Sequence, residues 1–465
     1  MIAFDNSYSL LPSQMFTRQT ATPVSAPDVI ATNPDLAKLL GIDANWIASP
    51  EATQVFAGNQ TPQGADPIAA AYAGHQFGHW NPGLGDGRAL LLGEVIGTDG
   101  IRRDIQLKGS GPTPYSRAGD GRAALGPVLR EYLVSEAMHA MGVPTTRALA
   151  AVTTGDRVLR EDGPLPGAII TRIAQSHIRV GTFQLLAARG DVDALRALFD
   201  HVVARHYPQA NDPAGLLRAV MNSQAKLIAQ WMSLGFIHGV MNTDNVSIAG
   251  ETIDYGPCAF MDNYHPDTVF SAIDRQGRYA YQNQPRIAVW NLAQFATALI
   301  PLMPDQDAAI EEFTTLINGF PAIYEDAWLK MFCAKIGIAE PNAQDRALIE
   351  DLLTIMQDGG SDFTAAFAYL SSEDAQDQFA DRDRFAAWQA RWHARKPDAA
   401  LMQAVNPAVI PRNHQVEAVI QAGQRGDFAP FHALLAAVTK PYQPDAQFGA
   451  APTPDQRISR TFCGT

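Results

Sequence analysis

The chain has 465 residues, of which 46% are hydrophobic and 18% charged, and these proportions exclude a disordered or fibrous protein. Lys and Arg total 35 against 48 Asp and Glu, so the net charge of −13 argues against broad binding to nucleic acid or anionic membranes. Only 3 cysteines are present, which excludes a disulfide scaffold and favours a reducing compartment.

The N-terminal residues lack the basic start and apolar core of a signal peptide. The best apolar run, residues 89–95, is too short to span a bilayer. We therefore expect a soluble, cytoplasmic protein that contacts neither membrane nor nucleic acid.

The first 175 residues show mainly strand patterns. Residues up to about 65 are rich in Pro, Asn and Thr and predict an extended lead-in. The apolar spacing from Leu125 to Met141 predicts a helix that ends at Gly142. Strands are predicted at residues 89–95, 103–107, 149–152, 158–160 and 168–173. Together they indicate a twisted antiparallel sheet with one helix packed on it.

The remainder reads as mostly helical, with a short β insert at residues 246–248 and 252–253. Helices are predicted at residues 214–234, 287–302, 308–324, 346–357, 381–394 and 415–436. The fold class is therefore α+β. We predict a lead-in and sheet lobe over 1–175, a helical lobe over 176–440 and a surface tail over 441–465.

Lys108 and Glu131 form a candidate pair. Lys108 ends a predicted strand on its polar face, and Glu131 lies beside the apolar stripe of the predicted helix, where a carboxylate needs a partner. A strand lysine paired with a helix glutamate is how protein kinases fix nucleotide phosphates. A structural salt bridge is the alternative.

The segment from His238 to Asn245, followed by Asp254-Tyr-Gly, is the most informative stretch. Protein kinases carry His-Arg-Asp, four further residues and Asn, and later Asp-Phe-Gly. His238 and Asn245 keep that spacing. Asn245 and Asp254 are hard oxygen donors and hence candidate ligands of Mg²⁺, or of Mn²⁺, which the sequence does not distinguish.

Val240 occupies the position of the kinase catalytic aspartate. Valine accepts no proton, so either the chain is an inactive kinase or another residue is the base. Asp244 is the only carboxylate in the loop and is the candidate.

Glycines and arginines add to the predicted phosphate site. Gly85, Gly87 and Arg88 precede a strand, and the glycines let backbone N–H groups approach a phosphate, although a plain turn is the alternative. Arg172 and Arg179 supply planar paired donors for phosphate. His75 and His79 are four residues apart, but they lack the glutamate of a zinc-protease motif, so no metal is expected there.

In combination, these segments resemble the selenoprotein O family of pseudokinases, and the resemblance extends over essentially the whole chain. The matching segments are Tyr72-Ala-Gly-His-Gln-Phe-Gly78, Leu84-Gly-Asp-Gly-Arg88, Gln106-Leu-Lys-Gly-Ser-Gly-Pro-Thr-Pro-Tyr-Ser-Arg117, Gly119-Asp-Gly-Arg122, Arg130-Glu-Tyr-Leu133, Ser176-His-Ile-Arg-Val-Gly-Thr-Phe183, His238-Gly-Val-Met-Asn-Thr-Asp-Asn245 and Ile253-Asp-Tyr-Gly-Pro257.

The resemblance implies a protein-kinase-like fold of two lobes, a β-rich N-lobe with one key helix and a mostly helical C-lobe. It implies a protein adenylyltransferase that moves AMP from ATP to Ser, Thr or Tyr hydroxyls of other proteins and releases pyrophosphate. The ATP is flipped relative to ordinary kinases, which would explain why valine is tolerated at position 240.

The resemblance also assigns roles. Asp244 would accept the proton, Asn245 and Asp254 would bind the metal, and Lys108 with Glu131 would hold phosphates. The nucleotide site would be lined by Gly85, Gly87, Arg88, Asp120, Gly121, Arg172, Arg179 and Asp254.

Family members carry a cysteine or selenocysteine near the C-terminus that is linked to redox control, and Cys463 matches that position. Residues 267–273 lack the partner cysteine of some members, and Cys258 is the alternative partner.

Two alternatives to adenylyl transfer stay open from the residues. One is a phosphotransferase that uses Asp244 as an unusual base, and the other is a non-catalytic nucleotide-binding scaffold. The sequence names neither the target proteins nor the oligomeric state.

Overall fold

The structure is a computed structural model that describes residues 2–161 and 163–462. An antiparallel sheet with one packed helix comes first, and a helical region follows. The predicted α+β fold class, with two lobes as in protein kinases, is confirmed.

The sheet lobe is built on nine strands in the order β1-β3-β5-β6-β9-β8-β2, with β4 paired to β3 and β7 paired to β9. Every pairing is antiparallel. The strands are β1 Phe16–Arg18, β2 Asp28–Thr32, β3 Ile68–Gln76, β4 His79–Gly85, β5 Ala89–Ile96, β6 Arg102–Lys108, β7 Ala123–Ala124, β8 Arg147–Arg160 and β9 Gly163–Ala174. The predicted strands fall within β5, β6, β8 and β9, whereas the β3–β4 hairpin was not predicted.

The register of the central strands brings the polar side chains together. Gln106 of β6 lies directly opposite Arg172 of β9, and Lys108 lies opposite Ile170. Because alternate residues of a strand share a face, Gln106, Lys108 and Arg172 all project from one side of the sheet. The predicted helix, α4, covers Leu125–Ala140 and packs on β8 and β9.

The prediction of an extended lead-in is wrong. Residues before β3 include three short helices, α1 Pro34–Leu39, α2 Ala44–Ile47 and α3 Pro50–Phe56. Side chains of Asn33, Asp43 and Ser49 cap their first turns. These helices are too short to show a helical period, but Leu36, Ile47 and Phe56 bury a second core against the sheet.

The helical lobe carries the remaining elements. Its helices are α5 Val180–Arg189, α6 Val192–His206, α7 Pro213–Leu234, α8 Gln284–Leu299, α9 Gln306–Lys335, α10 Asp345–Gly359, α11 Phe363–Ala368, α12 Arg382–Ala394, α13 Ala399–Val405, α14 Asn413–Gln424 and α15 Ala429–Val438. A small ladder pairs β10 Phe236–Ile237 with β11 Ala259–Phe260. The predicted single helix over 415–436 is two helices, and α9 continues beyond its predicted end at 324.

The predicted β insert is also wrong, because its two halves pair with other segments. The backbone of Val246 and Ile248 bonds to Val180 and Ile178, and Ser247 forms a single bridge with Arg179. Thr252 instead bridges to Thr145. Residues 246–248 therefore join the start of α5, whereas Thr252 joins the segment that leads into β8 of the sheet lobe.

The C-terminal tail is mostly exposed, but Thr461 is buried against residues 270–272. Its N–H donates to Phe270 O over 2.8 Å and its carbonyl accepts from Ala272 N over 3.0 Å. Cys463 lies outside the described residues, so the predicted redox role stays a prediction. Among the helices described, none combines the length and apolarity that crossing a membrane requires.

Candidate active site

A cleft of about 1210 Å³ is lined by residues of both lobes. It contains every residue singled out from the sequence as catalytic, nucleotide-binding or metal-binding. These are Gly85, Gly87, Arg88, Lys108, Asp120, Gly121, Glu131, Arg172, Arg179, Asp244, Asn245 and Asp254.

An ionic cluster of Lys108, Glu131, Arg172 and Asp254 lies in the cleft. The Lys108 ammonium donates to Glu131 Oε2 over 2.7 Å and to Asp254 Oδ1 over 2.8 Å. The Arg172 guanidinium donates to the same two carboxylates, over 3.2 Å to Glu131 and 2.8 Å to Asp254. Two cations and two anions are thus interlocked, and the predicted Lys108–Glu131 pair is part of a larger assembly.

Asp254 is held ionised by this cluster. Its burial opposes ionisation, but Lys108, Arg172 and Arg179 outweigh burial and keep the pKa of Asp254 well below its usual range. Its backbone has φ of 62°, a left-handed conformation that non-glycine residues seldom adopt. Such strain is found where a side chain must be aimed at a site.

Arg179 is the second buried arginine of the cleft. It precedes α5, donates to Asp86 Oδ1 over 3.4 Å and lies 3.7 Å from Asp254 Oδ2. Its guanidinium stacks over the Tyr72 ring at 4.5 Å from the centroid. The buried sites of Arg172 and Arg179 are therefore built by polar and aromatic neighbours as well as by the carboxylates.

Three of these neighbours were missed from the sequence: Tyr72, Asp86 and Gln106. Gln106 accepts from Arg172 Nε over 3.1 Å and donates to Asp86 Oδ2 over 3.0 Å. A signal existed for Gln106, which alternates with Lys108 on the polar face of β6, and for Asp86, which lies between two glycines. Nothing in the sequence pattern marks Tyr72 as a partner of Arg179.

The loop of residues 238–245, which matches the kinase catalytic loop in sequence, is bonded to the residue before Asp254. His238 is buried, and its Nε2 lies 2.8 Å from Ile253 O. Burial lowers the pKa of His238. Its Nδ1 accepts from Val240 N over 3.4 Å, which leaves Nε2 as the donor to Ile253 O. The side chain of Asn245 donates to Val240 O over 2.9 Å. The Asn245 bond lies within the loop, and the His238 bond attaches the loop to Ile253, the residue before Asp254.

The two carboxylate oxygens of Asp244 differ in their hydrogen bonding. Oδ2 accepts from the Gln76 side chain over 3.2 Å, whereas Oδ1 is buried and has no hydrogen-bond partner within the described part of the chain. Burial raises the pKa of Asp244 to about 6. A carboxylate with a free oxygen and a raised pKa is suited to accept a proton near neutral pH.

The glycines of the cleft serve close packing between loops. A side chain at Gly85 would overlap the Tyr115 ring, and one at Gly87 would come within 2.8 Å of Tyr115 O. Gly121 has φ of 65° and lies against the backbone of Gly111. These glycines bring two loops together at the wall of the cleft.

Asp120 and Arg88 lie on more open parts of the wall. Asp120 pairs with Arg160 of the β8–β9 hairpin over 2.8 Å. Arg88 is half-buried and, within residues 2–161 and 163–462, forms no ion pair. Its charge is therefore available to a ligand in the cleft.

The donors at the predicted metal site fit Mg²⁺ or Mn²⁺. Asp254 offers a carboxylate, and Asn245 has its amide N–H₂ engaged, which leaves its carbonyl oxygen as a donor to a ligand. Both are oxygen donors, as these ions prefer, and Mg²⁺ sites commonly take further ligands from phosphates and water. His75 and His79, by contrast, lie on the paired strands β3 and β4 and not on one helix face.

Comparison with known proteins agrees with this geometry. A sequence model of the family described as "Protein adenylyltransferase SelO" matches residues 1–439. The chain belongs to the SelO family. As a member of that family it is a nucleotidyltransferase, with ATP and proteins as the substrates that the family's activity implies.

The SelO relatives are similar over their full length. A protein nucleotidyltransferase YdiU of Roseobacter denitrificans is 60% identical over 467 residues, which cover 99% of each chain. That of a Ruegeria species is 58% identical over 471 residues, covering 100% of this chain and 99% of the relative. That of a Jannaschia species is 57% identical over 476 residues, covering 99% of each. Among the three activities left open from the residues, the family supports adenylyl transfer.

Proposed function

We propose that the cleft binds ATP in a flipped orientation and transfers its AMP group to a hydroxyl side chain of a protein. The triphosphate is held by Lys108, Arg172 and Arg179, with Arg88 as a further cation on the wall. Three of these cations are already fixed by carboxylates and by Gln106. Little side-chain conformational freedom is therefore lost when phosphate binds.

Asn245 and Asp254 would hold Mg²⁺ or Mn²⁺, which would neutralise phosphate charge in the transition state. Asp254 is suited to this because neighbouring cations keep it ionised. The single engaged N–H₂ group of Asn245 keeps its carbonyl directed away from Val240 O.

Asp244 is the general base. Its Oδ1 takes the proton of the acceptor hydroxyl as the hydroxyl oxygen forms a bond to the α-phosphorus. The bond between the α-phosphorus and the bridging oxygen of pyrophosphate breaks, and pyrophosphate leaves with that electron pair. The buried Oδ1, free of a protein partner among the described residues, is the observation that carries this proposal.

Val240 is consistent with this assignment. It is buried and lies at the position where a protein kinase has its base. In the flipped orientation the acceptor meets the α-phosphate beside Asp244, so no base is needed at position 240.

The test uses purified protein, Mg²⁺, a generic acceptor protein and ATP labelled at either the α- or the γ-phosphate. Label entering protein from the α-position alone is expected. Label from the γ-position alone would make the chain a phosphotransferase and overturn the proposal. Absence of transfer from both, with ATP binding retained, would favour a scaffold.

Asp244→Asn tests the base separately. The substitution keeps the size of the side chain and removes its basicity, and we expect transfer to fall by about 10²–10⁴-fold with ATP binding retained. Calorimetric ATP titration and transfer from the α-label measure the two effects. Transfer at the parent rate would exclude Asp244 as the base.

A further inference from the structure

The segment Tyr72-Ala-Gly-His-Gln-Phe-Gly78 is part of the resemblance to the SelO family, and two of its side chains contact the site: Tyr72 lies under Arg179, and Gln76 bonds to Asp244. The segment forms the end of β3 and the turn into β4. Phe77 has φ of 51° and Gly78 has φ of 85°, which makes the turn tight. The tip of this hairpin lies on the catalytic loop.

Backbone groups of the hairpin tip bond to consecutive side chains of the loop. His75 N donates to Thr243 Oγ1 over 2.7 Å, and Phe77 N donates to Asn242 Oδ1 over 2.9 Å. These bonds join residues 165 and 168 positions apart in the chain. The two segments are therefore held in a defined register with the side chain of Gln76 between the two bonds.

Gly74 permits this close approach. A Cβ at position 74 would lie 2.8 Å from Thr243 Oγ1 and 3.4 Å from Asp244 Oδ1. Gly181, at the start of α5, also permits a close approach. A Cβ at position 181 would overlap Ala73 O and lie 3.6 Å from Asp244 Cα. Asp244 is thus enclosed by backbone on two sides, which accounts for its burial.

We propose that Gln76 is a positioning residue that holds Oδ2 of Asp244 and leaves Oδ1 as the oxygen that receives the acceptor proton. Both Gln76 and Asp244 line the cleft. The Gln76 amide donates to Oδ2 over 3.2 Å, and Oδ1 has no partner among the described residues. The inference rests on the proposed function, in which Asp244 is the base.

The chemistry of glutamine suits this role. Its N–H₂ group donates a hydrogen bond to a carboxylate without carrying a charge. A lysine here would form an ion pair and weaken the base, and a shorter side chain would not reach it. With one oxygen fixed, rotation of the carboxylate about its last bond is restricted, so Oδ1 is aligned before the acceptor arrives.

The test compares Gln76→Glu and Gln76→Leu with Gln184→Leu. Glutamate has the size of glutamine but donates no bond to Asp244 when ionised, and leucine removes the polar group. Gln184 of α5 contacts His75 Nδ1 over 3.0 Å, so it anchors the same hairpin without contacting Asp244. Transfer from α-labelled ATP gives kcat and KM, and calorimetry gives the Kd for ATP.

Both Gln76 variants are expected to lose about 10–100-fold in kcat, with KM and Kd for ATP within about twofold of the parent. Gln184→Leu is expected to keep kcat within about threefold. A purely structural role for Gln76 would instead weaken ATP binding and kcat together, and would affect Gln184→Leu equally. Either that pattern or parent kcat in both Gln76 variants overturns the inference.

Asp244→Asn separates this inference from the proposed function. If Asp244→Asn abolishes transfer while the Gln76 variants retain the parent kcat, only the positioning role is wrong. If Asp244→Asn transfers at the parent rate, the base assignment is wrong, and the role of Gln76 falls with it. If Asp244→Asn lacks transfer and Gln76→Leu loses kcat alone, both stand.

Discussion

Arg172 donates to three side chains, those of Gln106, Glu131 and Asp254. Its planar fork makes these bonds from fixed directions, which an ammonium group on a flexible chain cannot reproduce. At the scale of single residues, the shape of the cation therefore matters beside its charge.

Arg172→Lys is expected to lower the free energy of unfolding by about 1–3 kcal/mol, because buried acceptors such as Gln106 Oε1 lose their donor. ATP affinity should fall about tenfold or more. Denaturant unfolding and calorimetry measure the two quantities. Arg88→Lys is the control, since Arg88 forms no ion pair within the described residues, and it should leave the unfolding free energy unchanged. Equal unfolding free energies for the two variants would show that the hydrogen bonds of the Arg172 guanidinium do not stabilise the fold.

Glu251 offers a pH-dependent test at the same scale. It is buried, and its Oε2 accepts from Gln175 N over 2.9 Å. Burial raises the pKa of Glu251 from 4.5 to about 8. Because the folded chain keeps this proton to a higher pH than the unfolded chain, the unfolding free energy should fall as pH rises between these two values.

Glu251→Gln removes this titration and keeps a carbonyl acceptor for Gln175 N. We expect the variant to be more stable than the parent by as much as about 4 kcal/mol at pH 8, and by much less at pH 5. Thermal unfolding at both pH values measures the difference. Glu340→Gln, at an exposed glutamate, should have no effect at either pH. A gain in unfolding free energy that is equal at pH 5 and pH 8 would contradict a raised pKa of Glu251.

At the scale of elements, helix α4 connects the ionic cluster to the C-terminal helices. α4 carries Glu131 and packs against α14 and α15. The neighbouring Arg130 donates to Asn413 Oδ1 over 3.0 Å, to Cys258 O over 3.3 Å and to the Glu417 carboxylate. Helix α14 therefore holds α4 in place, and α4 carries Glu131, which pairs with Lys108.

Glu417→Ala should loosen α4 by removing one charged partner of Arg130. We expect a loss of about 1–3 kcal/mol in unfolding free energy and a several-fold rise in the Kd for ATP. Glu325→Ala removes an exposed partner of Arg346 and should cost less than about 1 kcal/mol, with ATP binding unchanged. Weaker ATP binding in both variants, or in neither, would contradict a specific role for the α4–α14 contact.

At the scale of the whole molecule, Arg205 of α6 joins the helical lobe to the sheet. Its guanidinium donates to Glu94 Oε1 of β5 over 2.9 Å and to Asp104 Oδ1 of β6 over 2.7 Å. Glu94 also accepts from the backbone N–H groups of Ser7 and Tyr8. One buried cation thus holds two strands of the sheet and, through Glu94, the N-terminal segment.

Arg205→Met would leave two buried carboxylates without this partner, and we expect it to cost about 3–5 kcal/mol of unfolding free energy. Arg196→Met is the control on the same helix, because Arg196 donates to Leu302 O within the helical lobe. Its cost should be about 1 kcal/mol. Chemical denaturation at neutral pH compares the two. Similar costs for both variants would show that the junction between the lobes is not specially stabilised.

From the sequence one can predict the fold class, the sheet around β5 and β6, the helix α4 and twelve of the residues that line the cleft. Periodicity reveals strands and helices that bury one face, as in α10, where Leu348, Ile349, Leu352 and Leu353 are buried at helical spacing. It failed for α1, α2 and α3, which are shorter than two or three turns and are fixed by their caps and by the sheet. It also failed for residues 246–253, whose backbone groups bond to distant segments and not to each other.

The pairing of the cleft residues depends on the tertiary structure and cannot be deduced from the motifs. Lys108 and Asp254 are 146 residues apart, and Gln76 and Asp244 are 168 apart. Local patterns do not encode such contacts, because the sheet register and the packing of the lobes set which side chains meet. Motifs therefore indicate which residue types carry the chemistry. Folding brings Asp86, Gln106 and Gln76 to them as partners and, among the described residues, leaves Oδ1 of Asp244 without a hydrogen bond.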